Sequence, residues 1–373
     1  MAPLVPAAPT GAVSSAGKGR IPLLDGIRGL AALMVMAFHY FQISDHLVAG
    51  RLGAALHRYS TIGQTGVDLF FVLSGFLITR ILLQTRERPG YFVNFYARRS
   101  LRILPLYYWF LLLFFFVQPL LGEERPAPFG QTWWWWVYLQ NLPLTFGWPA
   151  VGPNHYWSLA VEEHFYLIWP LLVFVLSRRN LVFASLGMVA AALATRVVLL
   201  ANGLDGFYFT FSRLDALALG ALLALLEPAV LARPDDFRKY FLILAGMLCI
   251  PLGALYLVFA GSHAIWLQAV KYPLTGLAYF IFLGLALMAD PRSRPARFFA
   301  SRTMRFLGGI SYGMYVYHPL CFVWQDRLLP TRHPLLFLPL EFLVPIGMAY
   351  LSFKWLEAPF LRLKDRFGPP AAA

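Results

Sequence analysis

An arginine and a histidine eleven residues apart interrupt an otherwise apolar stretch near the start of this chain, LLDGIRGLAALMVMAFHYF. At 100° per residue, positions 28 and 39 differ by three turns plus about 20°, so Arg28 and His39 share one face of a helix, with Asp25 beside them. The rise per residue separates the two by roughly 16 Å along the axis, too far for a hydrogen bond. An ionisable side chain inside a membrane-spanning helix costs several kcal/mol and is by default a functional candidate. His39 exchanges protons near neutral pH and suits a general base. The structural alternative for it is a histidine that satisfies a neighbouring helix.

A second cluster lies in FYARRSLRILPLYY, residues 95–108. Arg99 and Arg102 stand three residues apart, so one helical face can offer two guanidiniums to a phosphate; Arg98 adjoins them. Ordinary cytoplasmic charge explains these arginines unless a phosphate-bearing substrate enters there. The third cluster is WSLAVEEHFYLIWPLL, residues 157–172. Glu162 and Glu163 fall at the same end of their span as His39, where a carboxylate can fix the imidazole tautomer and stabilise its charged form. A salt bridge to Arg196 or Arg213 is the alternative. Further buried polar candidates are Asp68 and Ser74 in GVDLFFVLSGFLIT, Arg213 and Asp215 in RLDALALG, and Tyr315 and His318 in ISYGMYVYHPL. Arg213 and Asp215 are expected to pair with other helices for structure. Tyr315 and His318 share a face and either line the same cavity or pack. No metal-ligand spacing, Gly-x-Ser-x-Gly turn, phosphate-cradling glycine loop or nucleotide-binding fold is present, so no metal site and no covalent serine mechanism are expected.

The elements that must carry these residues are transmembrane helices. Of 373 residues 59% are hydrophobic and 13% charged, about half the charged share of a soluble domain, and the mean hydropathy is +0.61. Apolar runs of about 20 residues recur along the chain, the length of a helical span. The residue-by-residue alternation of an outer-membrane barrel is missing. The expected fold is an all-α polytopic membrane protein of about ten helices, at 24–43, 66–86, 104–121, 158–177, 180–200, 210–227, 239–260, 265–289, 305–326 and 335–358. Residues 1–20 are expected to be a disordered tail, 21–362 the membrane domain and 363–373 a short cytoplasmic tail. The run WWWWVYLQNL, residues 133–142, is too short to cross and is expected to be an interfacial aromatic anchor. Gly66 and Gly75 suit close helix packing. Cys249 and Cys321 fit no disulfide or metal pattern.

The net charge of +13 does not point to nucleic acid here. With the N-terminus in the cytoplasm, the 31 lysines and arginines divide into 22 in cytoplasmic segments, five outside and four within spans. That asymmetry follows the positive-inside rule and predicts both termini in the cytoplasm.

These motifs, in this order, resemble the acyltransferase-3 family of bacterial membrane O-acyltransferases, which modify cell-surface glycans and have relatives acting on lipids and antibiotics. The resemblance runs from about residue 20 to 360. It implies ten helices, a cell inner membrane location, and an acyl-CoA donor, acetyl-CoA above all, as co-substrate with no permanently bound cofactor. By position, Arg28 and His39 match the family's first-span pair, Arg99 and Arg102 its arginine pair for the CoA phosphates, and Glu162 or Glu163 its acidic position. Many members add a C-terminal secreted hydrolase-like domain; a chain ending at residue 373 is expected to lack it. The expected partners are acyl-CoA, a glycan or glycolipid acceptor and the lipid bilayer. The expected reaction threads the pantetheine arm from the arginines toward His39, which takes a proton from an acceptor hydroxyl. A transporter or flippase of glycan intermediates is the rival, since buried charges also line transport paths; no inverted repeat or paired broken helices support it.

Overall fold

The structure is a computed structural model that describes residues 21–43, 50–121, 127–259, 264–329 and 334–367. The expected tail at 1–20, the end of the chain from 368, and Lys18, Arg20, Arg125 and Arg332 of the charge count lie outside the described residues. No strand occurs among them. Helix α1 spans Pro22–Ile43, the short α2 Gly50–Ser60, α3 Gly66–Thr85 and α4 Tyr91–Leu112, extended through Leu113–Val117 into α5, Gln118–Leu121. Two short helices follow, α6 Phe129–Trp136 and α7 Asn141–Phe146. Then come α8 Trp157–Val175, α9 Arg178–Ala201, α10 Thr210–Ala232, α11 Pro234–Gly253 and α12 Ile265–Leu287. The chain closes with α13 Arg294–Phe299, α14 Arg302–Leu328, α15 Pro334–Ser352 and α16 Ala358–Leu363.

Local signals set several boundaries. Ser177 and Ser301 cap α9 and α14 by accepting hydrogen bonds from the N–H groups of Asn180 and Met304, and Pro234 opens α11, all standard helix starts. The π-helical turns Leu113–Val117 and Phe353–Glu357 each end two residues before a proline, Pro119 and Pro359. A proline has no N–H to give and its ring clashes with the carbonyl four residues back, so the ladder widens there.

Nine helical stretches among the described residues are long and apolar enough to cross a membrane. The tenth long helix, α14, has 27 residues, more than the roughly 20 needed. Its hydropathy is lowered by Ser311, Tyr315, Tyr317 and His318, all buried, so those polar atoms meet protein and not lipid. On α11, by contrast, Leu242, Ile243, Met247 and Ile250 are exposed, as a lipid-facing surface requires.

Two helix pairs form the centre, α1 against α14 and α3 against α10. Both depend on glycines. A Cβ on Gly75 would overlap the Leu217 carbonyl, and one on Gly220 the Val72 carbonyl. Likewise a Cβ on Gly308 would overlap the carbonyl of Asp25. Small residues let the backbones touch, which replaces the hydrophobic driving force that lipid removes. Gly66 does the same against Ala31 of α1.

The tryptophan run ends α6, too short to span. Trp135 faces protein on all sides: it is fully buried and its Nε1 donates to the Pro153 carbonyl at 3.1 Å. Trp133 and Trp134 stack on each other at 4.1 Å between ring centroids and stay partly exposed.

Candidate active site

A cavity of about 310 Å³ lies among α1, α3, α4, α8 and α14. Arg28 from α1, Arg98, Arg99 and Arg102 from α4, and Lys364 from the C-terminal turn line it, against Glu162 as the one carboxylate among its described residues. Helical spacing explains the α4 contribution, since residues three and four apart share a face. Arg28 arrives because Gly26 and Gly29 let α1 lie against the segment Phe299–Gly308, which fixes the rotation of α1.

Glu162 is held at both oxygens. Ser74 donates to its Oε1 at 2.5 Å, and the Arg99 Nη2 stands 3.9 Å from its Oε2. The Arg99 guanidinium also lies 3.7 Å over the Tyr166 ring, a cation–π contact that orients it. Arg102 lies within Coulombic reach of Arg28 and Arg99, with Glu357 and Asp25 as opposing charges. Arg98 donates from Nη1 to the Lys364 carbonyl at 2.9 Å. Five basic side chains against one lining carboxylate give the cavity an excess of positive charge, partly offset by Glu357 and Asp25 nearby, a setting that suits a multiply charged anion. Phosphates meet that need through charge-assisted, often bidentate hydrogen bonds.

The second half of the site is a pair of histidines. His39 Nδ1 lies 3.1 Å from the Val35 carbonyl and 3.0 Å from His318 Nε2. His318 Nδ1 lies 3.0 Å from the Met314 carbonyl. A carbonyl only accepts, so each Nδ1 carries the proton, and His318 Nε2 then accepts from His39. This tautomer assignment, inferred from the partners, leaves the lone pair on His39 Nε2. His318 is fully buried, while His39 is partly exposed.

The structure therefore differs from the sequence reading about Glu162 and Glu163. Among the described residues the side-chain partner of the His39 ring is a histidine of α14 and not either carboxylate. Glu162 turns to α3 and α4, and Glu163 Oε1 is buried with no hydrogen-bond partner among the described residues. The physical reason is that α14, not α8, packs along α1. Span counting had given the depth of each residue without its neighbour.

Tyr315 joins the two halves. It lines the cavity, and its ring centroid lies 5.8 Å from that of His318. Its hydroxyl is 2.5 Å from Ser158 Oγ and donates to the His155 carbonyl at 2.5 Å. His39 is not on the cavity wall. Tyr315 on the cavity wall and His318, bonded to His39, therefore connect the cavity to His39.

The remaining candidates lie at contacts between helices. Arg213 Nη2 meets Asp68 Oδ1 at 2.6 Å, and Arg196 Nη2 meets Asp215 Oδ2 at 2.7 Å. Arg213 is also stacked over Tyr272 at 4.1 Å. These pairs join α10 to α3 and to α9, as expected for Arg213 and Asp215, and they engage the two arginines that were alternative partners for Glu162 and Glu163. Asp25 is buried on the face of α1 that meets α14. The sequence reading missed Lys364, which had been assigned to a tail, and also Ser158 and His155. His155 lies in the 3-10 turn Asn154–Tyr156 that leads into α8, with its ring 5.7 Å from His318; only its position just before Trp-Ser-Leu hints at it.

Residues 21–354 match the family described as acyltransferase domain. Peptidoglycan O-acetyltransferase OatA of Listeria monocytogenes is 30% identical over 367 residues, covering 91% of this chain and 55% of that protein. O-acetyltransferase OatA of Staphylococcus aureus is 26% identical over 360 residues, covering 91% of this chain and 57% of that protein. The chain thus spans a little over half the length of these relatives. No solved structure matches it. With the family match covering most of the chain and the motifs gathered in one bundle, the protein belongs to the acyltransferase-3 family.

Proposed function

We propose that this protein is a membrane O-acyltransferase that moves an acetyl group from acetyl-CoA to a hydroxyl of a cell-surface carbohydrate in the bacterial inner membrane, with His39 as the general base. The observation that carries this reading is the cavity in which Arg28 meets Arg98, Arg99 and Arg102, joined through Tyr315 and His318 to His39, whose Nε2 carries a lone pair. The relatives named as O-acetyltransferases, one of them acting on peptidoglycan, supply the acetyl group and the carbohydrate acceptor.

In this mechanism the CoA phosphates bind Arg99 and Arg102, with Arg28 behind them, and the pantetheine arm extends past Tyr315. His39 Nε2 takes the proton of the acceptor hydroxyl as its oxygen attacks the thioester carbonyl. The tetrahedral intermediate collapses, the C–S bond breaks, and the proton passes from His39 to the departing CoA thiolate. General-base help of this kind is worth about 10² to 10⁴ in rate. The His39–His318 hydrogen bond holds the ring with Nε2 toward the acceptor.

Purified protein in nanodiscs, given radiolabelled acetyl-CoA and a soluble glycan fragment, tests the proposal. His39→Ala is expected to abolish transfer while CoA still binds and the protein elutes as a folded species. Transfer that survives at the parent rate would remove His39 from the role.

A further inference from the structure

The family match ends at residue 354, yet ten residues later Lys364 lines the same cavity as the four arginines. The path between them is built, not incidental. The helix runs from α15 through the π-helical turn Phe353–Glu357 into α16, and α16 packs on α4. Glu357, buried at its start, opposes the charges of Arg102 and Lys364. The Arg98 guanidinium grips the Lys364 carbonyl at 2.9 Å, so an arginine of the cavity itself sets the position of this turn. Lys364 is half-buried, with its ammonium added to a site that is already cationic.

Bringing a fifth positive charge beside four others is unfavourable without an anion to share it. Glu162 is engaged by Ser74 and Arg99, and Glu357, off the cavity wall, is shared between Arg102 and Lys364, so the lining keeps an excess of positive charge. A lysine differs from the arginines in kind: its ammonium is a compact charge on a flexible stem, able to follow a phosphate that the rigid guanidinium fork does not reach.

We propose that residues 355–366, beyond the family domain, form the outer wall of the donor site, and that Lys364 binds a phosphate of acyl-CoA. This rests on the reading of the cavity as the donor site. It assigns the C-terminal segment a share in donor affinity and leaves the chemistry to α1 and α14.

The test compares two donors, acetyl-CoA and phosphate-free S-acetylpantetheine, in the purified full-length protein. With acetyl-CoA, Lys364→Ala is expected to raise KM about ten-fold, the loss of one hydrogen bond to a charged group. Lys364→Glu should raise it further, Lys364→Arg should stay near the parent, and kcat should change little. With S-acetylpantetheine the parent and all three variants should share one KM. An unchanged KM for acetyl-CoA in Lys364→Ala and Lys364→Glu overturns the assignment, and so does an equal penalty with both donors, which marks a structural role. If the parent itself neither binds nor uses acetyl-CoA, it is the donor-site reading that fails.

Discussion

His39 has two neighbours that decide its chemistry, the Val35 carbonyl one turn back and His318 across the helix interface. In the familiar triad a carboxylate fixes the tautomer and stabilises the imidazolium. A neutral imidazole at His318 fixes the tautomer but adds no negative charge, so the charged form of His39 gains less. In the proposed mechanism His318 is a positioning residue, since it would act through His39. Replacing it by Phe keeps an aromatic ring of similar size and deletes the acceptor. We expect kcat to fall by about 10², with CoA affinity unchanged because the arginines are untouched. His318→Gln, whose amide oxygen can accept, should recover part of the rate. Steady-state kinetics beside equilibrium CoA binding separates the roles: a parallel loss of binding and kcat would mean collapse of the helix interface.

At the scale of elements, the α3–α10 and α1–α14 contacts hold the site together, and both rest on backbone touching backbone at glycine. Gly220→Val inserts a side chain where the Val72 carbonyl now lies. Such overpacking costs about 1 to 3 kcal/mol, so the thermal transition of the detergent-solubilised variant should drop by several degrees. Gly246→Val is the control, because a Cβ there meets open space, and its transition should match the parent. Equal transitions for both would show that α10 has room to shift away from α3. The Arg213–Asp68 ion pair reinforces that contact, since separating two buried charges leaves each without its partner.

Across the whole molecule, charge and apolarity are partitioned. Exposed leucines, isoleucines and methionines belt α11, while the arginines of the cavity open toward the end of α1 that carries Arg28. The orientation that the positive-inside rule gives puts that end in the cytoplasm, where acyl-CoA is made. Single cysteines in a Cys249→Ala/Cys321→Ala background test it in whole cells. A membrane-impermeant maleimide should label a cysteine at Arg51, exposed on α2, and should leave one at Glu87, exposed between α3 and α4, unlabelled until the cells are opened. The reverse pattern would invert the molecule and move donor entry to the outer side.

The sequence by itself determined the fold class, because apolar length and charge asymmetry are properties of the chain and of the bilayer, independent of which helix touches which. It also singled out Arg28 and His39 and their separation, since helical geometry within one element needs no partner. Ser74 and Glu162 were visible as buried polar residues, but not as partners of each other. Only the tertiary structure decided who meets whom. It gave His39 a histidine of α14 in place of a carboxylate of α8, turned Glu162 to Arg99, paired Asp68 with Arg213, and placed Lys364 on the same cavity as the arginines. Each of those contacts joins residues distant in the chain, and their register depends on which glycines allow two backbones to touch. Sequence periodicity reports a helix's inward face, whereas the partner waiting there is set by packing.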